Sequence, residues 1–296
     1  MRIAVTGKAG QVVTSLIERG AAVGHEVIAL GRPELDLADP ASVARALEAA
    51  APDAIISAAA YTAVDKAESE SDLAHAVNGA GAGAVAEAAR ALGVPLVHVS
   101  TDYVFDGALG RPYIESDPTG PTGVYGVSKL AGEQAVLATH GNNSAVLRVA
   151  WVYSPFGANF VKTMLRLAGD RDEVSVVADQ LGNPTSALDI ADGIIQVATN
   201  MVADSYLELR GVFHMTASGE ASWADFAEAI FAASAALDGP SARVKRITTA
   251  DYPTSTKRPA NSQLDCSLIA KTHGVVLPDW RQSLESVIAR LHSAAA

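Results

Sequence analysis

Short apolar runs alternate with amphipathic stretches through the first half of this chain, and that alternation constrains its fold more than any other feature. The runs are Ile3–Thr6, Glu26–Leu30, Ala54–Ser57, Leu96–Ser100 and Ala145–Ala150. Between them lie helical stretches around Gly10–Arg19, Ala41–Ala50, Leu73–Leu92 and Tyr125–Thr139. Runs this short and this continuously apolar suit strands covered on both faces. Strand–helix alternation then predicts an α/β fold with a doubly wound parallel sheet. Helix starts are marked as well: Asp39 precedes Pro40, and Asp72 precedes an alanine-rich stretch.

The second half is less regular. Asn159–Leu167 and Ala187–Thr199 read as helices and Val212–Met215 as a further strand. Ser222–Ala236 reads as an apolar helix with Trp223, Phe226, Ile230 and Phe231 as core candidates, packing residues rather than cofactor contacts. Ser116–Gly123 and Asp251–Asn261 read as surface or site loops. We expect residues 1–150 with about 187–215 to form a sheet domain that binds a dinucleotide, and 151–186 with 216–296 to form a smaller C-terminal substrate-binding lobe.

Twenty-two basic residues face 33 acidic ones, a net charge of -11 that argues against a general nucleic-acid binder. No stretch is apolar enough to span a bilayer, and Met1–Val5 is patterned as a strand rather than a targeting segment. The expected location is the cytoplasm, with no membrane partner. Cys266 is the single cysteine, so neither an intramolecular disulfide nor a cysteine zinc cluster can form. We read it as a small, partly buried apolar residue.

The turn after the first run is Gly7-Lys8-Ala9-Gly10-Gln11-Val12-Val13. Gly7 suits a tight turn, Gly10 lets a pyrophosphate approach the backbone, and the helix N-terminus offers free N–H groups to it. Val13 stands where a third glycine is usual. A P-loop would need Gly-Lys-Ser/Thr at its end, and Ala9 follows Lys8. Where an NAD enzyme places a ribose-binding acid, this chain has Leu30-Gly31-Arg32-Pro33. Arg32 is either a ligand of an adenosine 2′-phosphate, favouring NADPH over NADH, or a solvated loop residue. Asp36 and Leu37 are candidates to line the adenine.

Tyr125-Gly126-Val127-Ser128-Lys129 places a phenol and an ammonium on one helix face. A nearby cation stabilises a phenolate and moves its pKa towards neutrality, so Tyr125 can protonate a carbonyl receiving hydride. Thr101, at the end of the Leu96 run, can hydrogen-bond the same oxygen, on the sheet edge where open α/β sheets bind ligands.

Together with Ala58-Ala59-Ala60-Tyr61-Thr62, these motifs resemble the extended short-chain dehydrogenases/reductases, a Rossmann-type family. The blocks His98–Gly107, Val124–Glu133, Arg148–Tyr153, Asn159–Leu165, Asp179–Thr185 and Lys257–Ser262 resemble its dTDP-4-dehydrorhamnose reductase branch over nearly the whole chain. The resemblance implies NADPH-dependent reduction of the 4-keto group of dTDP-4-dehydro-L-rhamnose, with NADH also possible. It implies Tyr125 as proton donor, Thr101 orienting the carbonyl, and Lys129 holding the nicotinamide ribose. Gly7, Lys8, Ala9, Gly10, Gln11, Val12, Ala58, Ala59, Ala60, Tyr61, Thr62 and Ser100 fall at cofactor positions. Asp102, Tyr103 and Trp151 fall near the sugar, and Asn159 and Arg258 near the diphosphate and nucleoside. Trp151 also has a reading as a core aromatic at a strand end.

Some reductases of this branch pair their subunits through a magnesium ion held by glutamates. Here one of those stretches reads Val13-Thr14-Ser15-Leu16 and another ends in Leu188, with Asp189 beside it. A hard cation needs oxygen ligands, so we expect no magnesium bridge, and a monomer or a metal-independent dimer. Three other readings stay open: another nucleotide-sugar reductase, an epimerase of the same family, or a non-catalytic NADP-binding regulatory subunit. A 4,6-dehydratase would need a second carboxylate after Asp102, and Tyr103 stands there.

Overall fold

The computed structural model describes residues 1–295. Along the first half run strand β1 (Arg2–Thr6), helix α1 (Gln11–Ala22), β2 (Glu26–Leu30), α2 (Pro40–Ala50), β3 (Ala54–Ser57), the short α3 (Val64–Ala67) and α4 (Ser71–His75), α5 (Gly81–Leu92), β4 (Leu96–Thr101), α6 (Val124–His140) and β5 (Ser144–Val149). There follow β6 (Val152–Tyr153), α7 (Phe160–Asp170), β7 (Glu173–Val177), β8 (Leu181–Gly182), β9 (Thr185–Ser186), α8 (Ala187–Ala203) and β10 (Gly211–His214). The chain ends with β11 (Ala221–Ser222), α9 (Trp223–Ala235), β12 (Arg243–Ile247), α10 (Ser267–His273) and α11 (Trp280–Ala295).

Six strands make one parallel sheet in the order β10-β5-β4-β3-β1-β2. The order turns back between β1 and β3, which opens a crevice at the carboxyl ends of those strands. Helices cover both faces, so the strands can be apolar throughout. Val13 and Leu16 of α1 and Ile190 and Ile194 of α8 pack on one face with Val5, Ile56 and Leu147. Val43 and Leu47 of α2, Val85 of α5 and Val136 of α6 pack on the other with Ala4, Ile55 and Val146. No helix among the described residues is long and apolar enough to cross a membrane.

A separate apolar cluster joins Tyr153, Val161, Met164, Val174, Phe226, Phe231, Trp280 and Ile288. It fills the space between α7, α9, α11 and the small parallel pair β7–β12. Ile269 of α10, with Val275 and Leu277 after it, packs instead into the sheet cluster beside α8. The late part of the chain thus serves both cores.

Asp39 caps α2, its side chain accepting from the Ala41 N–H, and Pro40 opens the helix. Asp72 does not cap a helix: it lies inside the first turn of α4, whose start has no side-chain cap. The Leu73–Leu92 stretch is also not one α-helix, because Ala76–Ala80 is a π-helical turn between α4 and α5. The turn tucks Asn78 inward, where its side chain accepts from the Tyr61 N–H and donates to the Tyr61 carbonyl and the Ser128 hydroxyl.

Candidate active site

The glycine turn joins β1 to α1 at the crevice. Gly7 has φ +106°, a conformation that L side chains rarely adopt, and a Cβ there would lie 3.0 Å from Val13. The missing third glycine is therefore compensated locally: the Val13 methyl packs into the space a residue-7 side chain would need. Gly10 caps α1 with no side-chain hydrogen bond, so the first N–H groups of the helix remain available for an anion. Gly7, Ala9, Gly10, Gln11 and Val12 line one end of a cavity of about 670 Å³. These features fit a dinucleotide pyrophosphate.

Thr101, Asp102, Tyr103, Tyr125 and Lys129 converge on the same cavity from the end of β4 and the start of α6. The Thr101 hydroxyl donates to Asp102 Oδ1 at 2.8 Å. Asp102 is buried, and its Oδ2 has no hydrogen-bond partner. Burial pushes its carboxyl up to about 6, against the hydrogen bond from Thr101. Lys129 Nζ donates to the Val99 carbonyl at 2.7 Å. Burial lowers its pKa to about 8, opposed by the charge of Glu133.

The Tyr125 phenol differs from the sequence expectation. Its pKa is raised, chiefly by burial and then by the nearby Asp102 carboxylate. The Lys129 ammonium is directed at the Val99 carbonyl rather than at the phenol. Tyr125 is thus held as the neutral phenol. Tyr103 packs edge-on against it, with ring centres 5.5 Å apart, and receives a hydrogen bond from Arg258 Nη1 at 3.1 Å. Arg258 also pairs with Asp65, which fastens the Asp251–Asn261 loop over α3 beside the cavity mouth.

Trp151 and Trp223 form the far wall, stacked with ring centres 3.6 Å apart. Trp151 adopts φ +46°, unusual for a non-glycine residue. A Cβ at Gly182 would come within 2.4 Å of its indole, so that glycine makes room for the ring. Trp223, expected only in the core, instead packs partly on Phe160 and partly into the cavity. It opens α9 at the lobe boundary, which periodicity within the helix cannot reveal.

The other expected positions divide. Ala58, Ala59, Ala60, Thr62 and Ser100 line the cavity. Tyr61 turns away, its hydroxyl donating to Glu70. Lys8 points outward to the Arg32 carbonyl at 3.1 Å and to Glu34. Arg32 is exposed and does not line the cavity, Leu37 is buried against α2 and α5, and Asp36 bonds the backbone N–H of Ala38. Asn159 caps α7 and bonds Gln11 Oε1 at 3.0 Å, bracing the glycine turn from the lobe rather than lining the cavity. From the sequence, Asn78 and Glu133 have no assigned role and Trp223 only a core role, because their partners stand on other elements. Cys266 is partly buried, accepts from the Thr216 N–H and lies apart from this cavity.

A parallel sheet with a glycine turn at its switch point, and a Thr–Tyr–Lys group across the crevice, defines a Rossmann-type nucleotide-dependent oxidoreductase. The family model described as the RmlD substrate binding domain matches residues 1–293. The dTDP-4-dehydrorhamnose reductase of Sinorhizobium fredii is 52% identical over 288 residues, covering 97% of each chain. Among solved structures, the dTDP-4-dehydrorhamnose reductase of Clostridium acetobutylicum superposes with a TM-score of 0.91 at 36% identity, covering 98% of this chain and 99% of that one. That of Bacillus anthracis, in complex with NADP, gives 0.89 at 35% over the same shares. The chain belongs to the dTDP-4-dehydrorhamnose reductase family of extended short-chain dehydrogenases/reductases, and it is an oxidoreductase.

Proposed function

We propose that the chain reduces the 4-keto group of dTDP-4-dehydro-L-rhamnose to give dTDP-L-rhamnose, with NADPH as the preferred reductant. The observation that carries this reading is the meeting of the uncapped glycine start of α1 with Thr101, Tyr125 and Lys129 around one cavity. Reduced nicotinamide, held by the start of α1 and by Lys129, would supply the hydride, two electrons and a hydrogen nucleus, for the carbonyl carbon. Tyr125 donates its phenolic proton to the carbonyl oxygen, which becomes the alcohol. Its raised pKa keeps that proton on the residue until negative charge develops on the oxygen. Thr101 Oγ1 orients the carbonyl, and Lys129 binds the nicotinamide ribose and stabilises the phenolate left behind.

Asp102 and Tyr103 take the sugar, Trp151 and Trp223 flank it, and Arg258 neutralises the diphosphate. Arg32, exposed beside the outward-pointing Lys8, accepts the adenosine 2′-phosphate. The lobe built around Phe226 and Trp280 carries the nucleotide-sugar half of the site. An assay with NADPH and dTDP-4-dehydro-L-rhamnose tests this reading. We expect stoichiometric loss of reduced-nicotinamide absorbance and dTDP-L-rhamnose as the product. No oxidation, or a different sugar, overturns it.

A further inference from the structure

Glu133 lies one helical turn beyond Lys129, so Tyr125, Lys129 and Glu133 share one face of α6 at four-residue steps. No step of the proposed reaction uses Glu133, yet Lys129 and Glu133 are equally buried, each 2% exposed. A buried carboxylate persists only when paired and hydrogen-bonded. Arg148 on β5 supplies the pair, donating from Nε and Nη2 to the two oxygens at 3.0 and 2.7 Å. Arg148 is itself fixed, 5.0 Å from the centre of the Phe105 ring and with Nη1 3.5 Å from His214 Nε2. The His214 ring is anchored through Nδ1 on the Tyr113 carbonyl at 3.0 Å.

Glu133 also accepts a hydrogen bond from the Ser100 hydroxyl. The last three residues of β4 are therefore each tied down. Val99 is held by Lys129, Ser100 by Glu133, and Thr101 by Asp102. Two of these ties come from one face of α6, so this face sets where Thr101 stands relative to Tyr125.

The same carboxylate acts on Lys129 electrostatically. The titratable groups around the ammonium are Tyr125 and Glu133 on its own helix and His98 on β4, with Arg148 of β5 beyond Glu133. The neighbouring π turn offers Asn78, which is uncharged. His98 is buried with both ring nitrogens unpartnered and its pKa pushed well down, so it stays neutral and adds no charge. Burial works to strip Lys129 of its proton, and Glu133 is the charge that opposes this.

We propose that Glu133, clamped by Arg148, is a positioning residue for the reduction: it fixes the end of β4 that carries Thr101 and keeps Lys129 protonated. This rests on the reading of Tyr125 and Lys129 as the proton-transfer pair. Glu133→Gln removes the charge and keeps the shape. Because it strands the Arg148 cation, the double variant Glu133→Gln/Arg148→Met removes both charges together. In each we expect kcat to fall about tenfold; in Glu133→Gln the alkaline limb of kcat/KM should move towards lower pH by about one unit, as loss of an adjacent opposite charge requires. The double variant should move less, since a repelling cation is lost as well. A limb at the wild-type pH in a folded variant overturns the proposal, since a merely structural pair would lower activity without moving it. Fluorescence titration of NADPH across pH repeats the test without the ketone. A lowered midpoint for the alkaline loss of affinity supports the role of Glu133, and an unmoved one overturns it. Wild-type protein that is inactive on the ketone, with the binding midpoint still moved in the variants, would fail the substrate reading and leave Glu133 in its role.

Discussion

Tyr125 and Asp102 both line the cavity, and each holds its proton more tightly than it would in water. Tyr125→Phe removes the proton donor and little else. Turnover should fall by about 10²–10⁴-fold while NADPH still binds, checked by steady-state kinetics beside fluorescence titration. Asp102 carries a prediction about stability. Its pKa rises from 3.8 to about 6 on folding, so the folded state binds the proton more tightly and stability declines as pH rises between those values. A rise of that size corresponds to on the order of 3 kcal/mol. Asp102→Asn should therefore raise the urea midpoint at pH 7.5 and lose that advantage below the unfolded pKa. An equal effect at both pH values would refute the assignment. Thr101, Tyr125 and Lys129 were legible from residue type and spacing. Glu133 was not, because its partner Arg148 stands on β5, a different element, and their pairing follows only from packing α6 on the sheet.

Helix α6 approaches the π turn so closely that glycine is required between them. A Cβ at Gly132 would lie 2.1 Å from the Asn78 carbonyl, and one at Gly126 would lie 2.2 Å from the Tyr103 carbonyl. Neither neighbour is the free end of a side chain, so the backbone would have to move. Gly132→Ala should cost about 1–3 kcal/mol or more despite its better helix propensity, read from the chemical denaturation midpoint. A stabilised variant would mean that the helices can separate at little cost. The sheet strands were readable to within a residue or so, because both their faces are buried and the apolar run marks the whole element. The π turn was not readable, since its register follows from where Asn78 must point. Strands β6, β8, β9 and β11 have two residues each, too few to show any period. β12 alternates charge with partly buried residues at an exposed edge and carries no apolar signal.

Helices α1, α8 and α11 are joined to one another by charged and polar pairs. Arg19 binds Asp192 at 2.6 Å, Arg290 binds Glu18 at 2.6 Å, and Asp189 accepts from Ser283. Leu188 lies in the first turn of α8, where a magnesium bridge of the kind known in this family would need an oxygen ligand. Gel filtration with and without EDTA should give the same elution volume, and dissociation on chelation would overturn this expectation. With a net charge of -11, the phosphate-rich ligands proposed above would depend on local features, the start of α1 and the cations Arg32 and Arg258. Sequence alone determined the alternating strands and helices, the glycine turn and the Tyr–Lys spacing, because each follows from residues close together in the chain. Tertiary structure decided that α10 joins the sheet core, that Trp223 turns into the cavity against Trp151, and that Lys129 rests on Val99 while Asp102 and burial raise Tyr125. Those outcomes depend on desolvation and on contacts between distant segments, and neither quantity exists until the chain has closed on itself.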